Sequence, residues 1–146
     1  MNQQLQKYFL NLLAGKDYSK KELLIKAYNK GYEEEEVEEV ILYMIQKRFV
    51  DDKRLAENIV CKYQSTKGSA WIRQKLNQRY ISETIVEESL KDLKETVGSD
   101  IKRKLEKKYG INDWSKLDFK TKQKVLGFLS RQGFSNPYEI INEWEV

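Results

Sequence analysis

The sequence predicts an all-α protein of three tandem three-helix repeats in an elongated, curved array. Three observations carry this. Pro137 is the one proline in 146 residues, and Gly15, Gly31, Gly68, Gly98, Gly110 and Gly133 fall at the ends of stretches with helical periodicity. An apolar series, Leu23, Ala27, Tyr32 and Val37, recurs at identical spacing as Ile72, Leu76, Ile81 and Val86. A third copy supplies Val125, Leu129 and Phe134, slips by one residue at "SNP", and reaches Ile140, Ile141 and Trp144. The repeats fall at residues 1–50, 51–98 and 99–146. Units this small cannot each bury a full core, so neighbours must stack.

The elements follow in order. Leu5, Tyr8, Phe9, Leu12 and Leu13 lie at i, i+3, i+4, i+7 and i+8, one apolar stripe of a helix over 3–14 that stops at "AGKDYS". Ser19 stands three residues before Glu22, the pattern of a capping box, and the helix it opens runs to "NKGY", where Gly31 can turn left-handed. The acidic run 33–36 favours the positive end of a third helix, whose apolar positions are Val37, Val40, Ile41, Met44 and Ile45. The second and third repeats open with helices over 52–65 and 99–109, and Asp51 and Asp52 cap the former.

Composition narrows the class. An apolar fraction of 40% is low and a charged fraction of 34% high, but nine Tyr, five Phe and three Trp are too many for a disordered chain. No window approaches a membrane span and the start lacks the pattern of a signal peptide, so the expectation is a cytoplasmic protein, and the helical array is expected to be a monomer. Cys61 has no partner for an internal disulfide and reads as a small helix residue, while the lack of histidine removes the usual metal sets. Catalysis finds no support: histidine base, Gly-rich phosphate loop and reactive-cysteine signature are all missing. No cofactor is expected.

Net charge is +4, and its distribution matters more than its total. Eight cations meet eight acids in residues 1–50, nine meet eight in 51–98, and ten meet seven in 99–146. In "KRKLEKKYG", Ile101, Leu105 and Tyr109 share one face, leaving Arg103, Lys104, Lys107 and Lys108 largely outside it. This is either a solvated face or a contact for nucleic acid.

The stretch "GSAWIRQKLNQRYIS" departs from its sister copies. Trp71 corresponds to the polar Glu22 and Lys124, whereas Arg73 corresponds to Leu24 and Leu126. Either the middle helix is rotated, with Trp71 taking over core duty, or Lys67, Trp71, Arg73, Lys75 and Arg79 form an aromatic and basic contact face. Tyr80 stands where the sisters have Gly31 and Gly133. Either the second turn is built differently, or a strain of roughly 1–2 kcal/mol is tolerated there.

The ordered set "YSKKELLIKAYNKGYEEEEVEEVI", "DDKRLAENIV", "GSAWIRQKLNQRYI", "KKYG" and "GFLSRQGF" resembles the RecX family, regulators of the bacterial RecA recombinase. The resemblance covers nearly the whole chain. It implies three tandem three-helix repeats and a non-enzymatic modulator that lodges in the groove of the RecA–DNA filament. The implied effect is inhibition of ATPase, strand exchange and coprotease activities, with consequences for DNA repair, recombination and the SOS response. "DDKRLA" matches the family's Asp-Asp-x-Arg-Phe-Ala at Asp51, Asp52, Arg54 and Ala56, with Leu55 in place of the aromatic. "QRYI" departs from the family's Lys-Gly-Ile-like turn at Tyr80.

The expected partners are the RecA nucleoprotein filament and single- or double-stranded DNA, with no membrane. The expected contact residues are Arg54, Lys67, Trp71, Arg73, Lys75, Arg79, Arg103 and Lys107. The alternative is a helical DNA-binding or transcription factor, with Arg73, Gln74, Asn77 and Arg79 on a recognition helix. Three related units without a dimerisation segment fit groove binding better.

Overall fold

The computed structural model describes residues 1–93 and 97–146. Its described residues form nine α-helices and one 3₁₀ turn, with no strand among them. The expected second repeat, 51–98, therefore closes across residues 94–96, which lie outside the described ones.

Several helix starts have a local cause. Helix α1, Gln3–Gly15, opens where the Asn2 side chain accepts from the Leu5 N–H at 3.0 Å. Helix α2, Lys20–Asn29, has the full capping box: Ser19 Oγ accepts from the Glu22 N–H and Glu22 Oε1 from the Ser19 N–H. Helix α3, Glu34–Gln46, carries Glu34, Glu35 and Glu36 in its first turn, where the helix dipole favours them. Helix α4, Asp52–Tyr63, is capped by Asp51, which accepts from the Arg54 N–H at 3.1 Å. It stops two residues before the expected Ser65, because the Tyr63 carbonyl accepts from both Thr66 and Lys67.

Helices α5, Ser69–Gln78, and α6, Glu83–Leu90, follow. Helix α7, Ser99–Tyr109, ends at Gly110 with φ 63°. A 3₁₀ turn at Trp114–Lys116, which the apolar spacing did not announce, buries Trp114 and aims its indole N–H at Glu106, 3.3 Å away. Helix α8, Phe119–Arg131, starts from an Asp118 cap, and α9, Pro137–Glu145, has proline in its first turn, where a missing N–H costs nothing.

The repeat is a property of the structure as well as of the spacing. Leu23, Ile72 and Val125 are fully buried, and so are Ala27, Leu76 and Leu129. The same helix-ending turn follows the middle helix of each repeat: Tyr32, Ile81 and Phe134 donate their N–H to the carbonyls of Ala27, Leu76 and Leu129, each at 3.2 Å. That six-to-one bond belongs to a Schellman motif, which needs a left-handed residue just before the donor. Gly31 has φ 91°, Tyr80 φ 59° and Gly133 φ 89°. The second turn is therefore the same turn, not a different one, and Tyr80 carries the strain.

The chain divides into two compact units, Met1–Ile59 with Leu76–Ser89, and Val60–Lys75 with Leu90–Val146. The first holds a core of Leu5 and Phe9 from α1, Leu23 and Ala27 from α2, and Val37, Val40, Ile41 and Met44 from α3. The second is centred on Leu105, Ile111, Trp114, Val125, Leu129, Phe134 and Ile141. Helix α5 is shared out, Ile72 falling in one unit and Leu76 in the other.

Candidate functional site

Within each unit, the start of one repeat's middle helix docks on the following repeat's left-handed turn. In the first unit Arg79 Nε donates to Glu22 Oε2 at 3.0 Å, and a terminal nitrogen of the same guanidinium donates to the Asp17 carbonyl at 2.8 Å. Both side chains are mostly buried, at 22% and 16% exposure. Burial acts to raise the Glu22 carboxyl, but hydrogen bonds from Arg79 and the Ser19 N–H, with the charge of Arg79, hold it below the ordinary range. Glu22 thus serves as a helix cap and as a docking anion.

The second unit repeats the joint with other chemistry. The Gly68 N–H donates to the Gln132 carbonyl at 2.9 Å and the Ala70 N–H to the Gly133 carbonyl at 3.3 Å, so carbonyls at the end of α8 meet donors at the start of α5. Lys67 Nζ donates to Gln132 Oε1. Contact is close enough to dictate glycine on both sides. A Cβ on Gly68 would lie 2.2 Å from the Gly133 carbonyl carbon, and one on Gly133 only 2.5 Å from the Trp71 nitrogen.

The Asp-Asp-x-Arg stretch is built into the first unit. Asp51 caps α4 as expected, but Asp52 does not: its Oδ1 accepts from the Lys20 N–H at the start of α2, 2.9 Å away. Burial raises the Asp52 carboxyl, outweighing that N–H and the nearby charge of Lys20. Arg54 donates to the carbonyl of Arg48, a left-handed residue with φ 61°, at 3.2 Å and is otherwise exposed.

The expected contact residues fall into separate groups. Lys67 and Trp71 lie together, the ammonium 5.0 Å from the ring centroid, and Trp71 also packs on Tyr63 at 4.7 Å. Trp71 is half-buried, neither a core residue nor a free one. Arg73 and Lys75 are half-buried in the same unit, whereas Arg79 belongs to the other, bound to Glu22. Arg103 and Lys107 stand exposed on α7 with Lys104 and Lys108, while Leu105 on the opposite face is buried. The Arg103–Asp100 pair, at 4.0 Å and with side chains 76% and 87% exposed, leaves that face basic.

A cleft of about 590 Å³ opens beside the first joint. Lys20, Lys21, Asp52, Asn77, Tyr80 and Ser82 contribute to its lining. Tyr80 is 48% exposed, and the Lys21 ammonium lies 5.4 Å from its ring centroid. Of these residues, Tyr80, Asp52 and Asn77 carried a signal in the sequence, as a break in a glycine pattern, as half of an acidic pair and as a candidate on a recognition helix. Lys20, Lys21 and Ser82 had none, because their meeting depends on how consecutive repeats dock.

Comparison with known proteins agrees with this architecture. A family model for the first three-helix domain of RecX matches residues 7–44, which run from within α1 to near the end of α3. The chain is 32% identical over 130 residues to Regulatory protein RecX of Pasteurella multocida (strain Pm70), covering 87% of this chain and 78% of that protein. It is 31% identical over 128 residues to Regulatory protein RecX of Vibrio parahaemolyticus serotype O3:K6 (strain RIMD 2210633), covering 86% and 81%. The crystal structure of RecX from Lactobacillus salivarius superposes with a TM-score of 0.78 at 25% identity, covering 97% of this chain and 92% of that one. With its docked three-helix repeats and relatives matched over most of their length, this chain belongs to the RecX family of regulatory proteins.

Proposed function

We propose that this protein is a non-enzymatic modulator of the RecA recombinase, acting in the cytoplasm as a monomer. It seats in the groove of the RecA–DNA filament and inhibits ATPase, strand exchange and coprotease activity. The observation that carries this reading is family membership over nearly the whole chain, with relatives named as regulatory proteins. The exposed cations of α7, Arg103, Lys104, Lys107 and Lys108, supply a surface suited to phosphates. Arg54, Lys67, Trp71, Arg73 and Lys75 are the further proposed contacts, while Arg79 serves chiefly by fixing the joint on which they depend. The engagement of Arg79 by Glu22 also argues against α5 as a recognition helix, since it occupies one of the four base-reading candidates.

The decisive experiment is RecA ATP hydrolysis on single-stranded DNA with substoichiometric amounts of this protein. Suppression of the rate, with no hydrolysis by the protein alone, is the expected outcome. An unchanged rate and filament lifetime over a wide concentration range would count against the reading.

A further inference from the structure

We infer that the cleft beside the first joint binds one nucleotide of a single-stranded nucleic acid, with Tyr80 stacking on the base and Lys20 and Lys21 meeting flanking phosphates. The choice of polymer rests on the filament reading above, but the site itself comes from the geometry.

Tyr80 is the starting point. Its two sister turns use glycine at the same left-handed position, and φ there is 59°. A side chain in that conformation is disfavoured by roughly 1–2 kcal/mol, and the fold does not call for one: the other turns close with the same hydrogen bond. Nor does packing account for the residue, which is 48% exposed. Strain kept for an exposed aromatic side chain is a reason to look for what it touches. At Gly133 a Cβ would strike Trp71, but at Gly31 it would meet nothing, and the chain keeps glycine there all the same.

The lining then selects a ligand. An open ring with a cation 5.4 Å from its centroid is the pairing that binds bases and phosphates of single strands. The cleft, at about 590 Å³, is in the range of small-molecule sites. An acidic peptide would also meet Lys20 and Lys21, but it would bring carboxylates toward Asp52, which lines the same cleft. A base has the opposite relation to Asp52, since an exocyclic amine donates to a carboxylate, as cytosine N4 does. Duplex DNA keeps its base faces stacked and offers Tyr80 none.

The test is fluorescence anisotropy of the full chain, without recombinase, against labelled 16-mers of dC and dT, a 16-base-pair duplex, and a poly-glutamate peptide. The expected order is dC over dT over duplex, with the peptide weakest. Tyr80→Gly should weaken dC binding about tenfold, since one stacked base contributes on that scale, while its melting temperature holds or rises. Tyr80→Asn, which tolerates the left-handed conformation, should behave alike and guards against a folding artefact. Lys21→Gln should lower the salt slope by about 0.7, and Asp52→Asn should shrink the preference for dC over dT. Wild-type dC affinity in both folded Tyr80 variants, or tighter binding of duplex or peptide, overturns the inference. A Tyr80 variant that loses the oligonucleotide yet still suppresses RecA ATPase separates this site from the filament reading, whose failure appears instead as undiminished ATPase with oligonucleotide binding intact.

Discussion

Glu22 and Trp71 occupy the same position in consecutive repeats, and each docks the start of its helix on the left-handed turn of the next repeat. Glu22 does so through a guanidinium, at 3.0 Å from Arg79; Trp71 does so by laying its backbone and Cβ against Gly133. The exchange is coupled across the joint. Where the docking residue is Trp71, the turn must be glycine; where it is Glu22, the turn accepts Tyr80 and is preceded by a cation. The two departures in the middle repeat therefore belong to two different joints, Tyr80 to the one in the first unit and Trp71 to the one in the second.

The ionic joint should be sensitive to acid. The Glu22 carboxyl is held below its ordinary range in the folded protein, so the folded state binds fewer protons there than the unfolded one. Its contribution to stability is present above about pH 4.3, the ordinary glutamate value, and is lost as pH falls below it. Glu22→Gln keeps an acceptor for the capping box but removes the charge facing Arg79. We expect it to cost about 1.5–3 kcal/mol at pH 7 and to flatten the acid limb of a urea-unfolding series. Glu22→Ala should cost more, because the cap is lost as well.

The glycine joint should be intolerant of a methyl group. Gly133→Ala places a Cβ at 2.5 Å from the Trp71 nitrogen and 2.6 Å from its Cβ, at φ 89°. The left-handed conformation costs roughly 1–2 kcal/mol and overpacking roughly 1–3, so a loss of about 3 kcal/mol is expected by chemical denaturation. A loss no larger than the roughly 1–2 kcal/mol of the left-handed conformation alone would mean that the α8–α9 turn and α5 are not in contact in solution.

Much of this was legible in the sequence because helical periodicity and chain punctuation are local. The stripe through Leu5 and Phe9, the Ser19–Glu22 box and the match of Leu23, Ile72 and Val125 each required only spacing. The joints were not legible for the opposite reason. Glu22 and Arg79 lie 57 residues apart, and nothing local distinguishes a docking glutamate from a solvated one. Asp52 shows the same limit: beside Asp51 it looks like a second cap, yet its carboxylate reaches back to Lys20. Trp71 fell between the two sequence alternatives because its role is set by a turn some 60 residues downstream, not by the face of its own helix.

The shared core positions give a test of register. Leu76 and Leu129 are fully buried at equivalent places in the second and third repeats. Truncating either to alanine removes buried methyl groups and leaves a cavity that close-packed neighbours fill only in part. Each variant should lose about 2–5 kcal/mol, read as a shift in denaturation midpoint at unchanged slope. Similar losses at both positions are the expectation, since the two turns they anchor close with the same bond length.

The basic face of α7 should matter for binding and not for folding. Arg103 and Lys107 are exposed, and the Arg103–Asp100 contact at 4.0 Å is too long and too solvated to contribute measurably. Arg103→Gln and Lys107→Gln should therefore leave stability within about 0.5 kcal/mol. If these cations meet phosphates in the RecA–DNA filament, each substitution weakens binding and lowers the slope of log affinity against log salt by about one unit. A protein-only contact would give weaker binding with little change in slope, since a packed interface releases few counterions. Measuring filament affinity of both variants between about 50 and 200 mM salt, the span over which phosphate contacts weaken steeply, separates the two. Unchanged affinity throughout would remove α7 from the filament-facing surface.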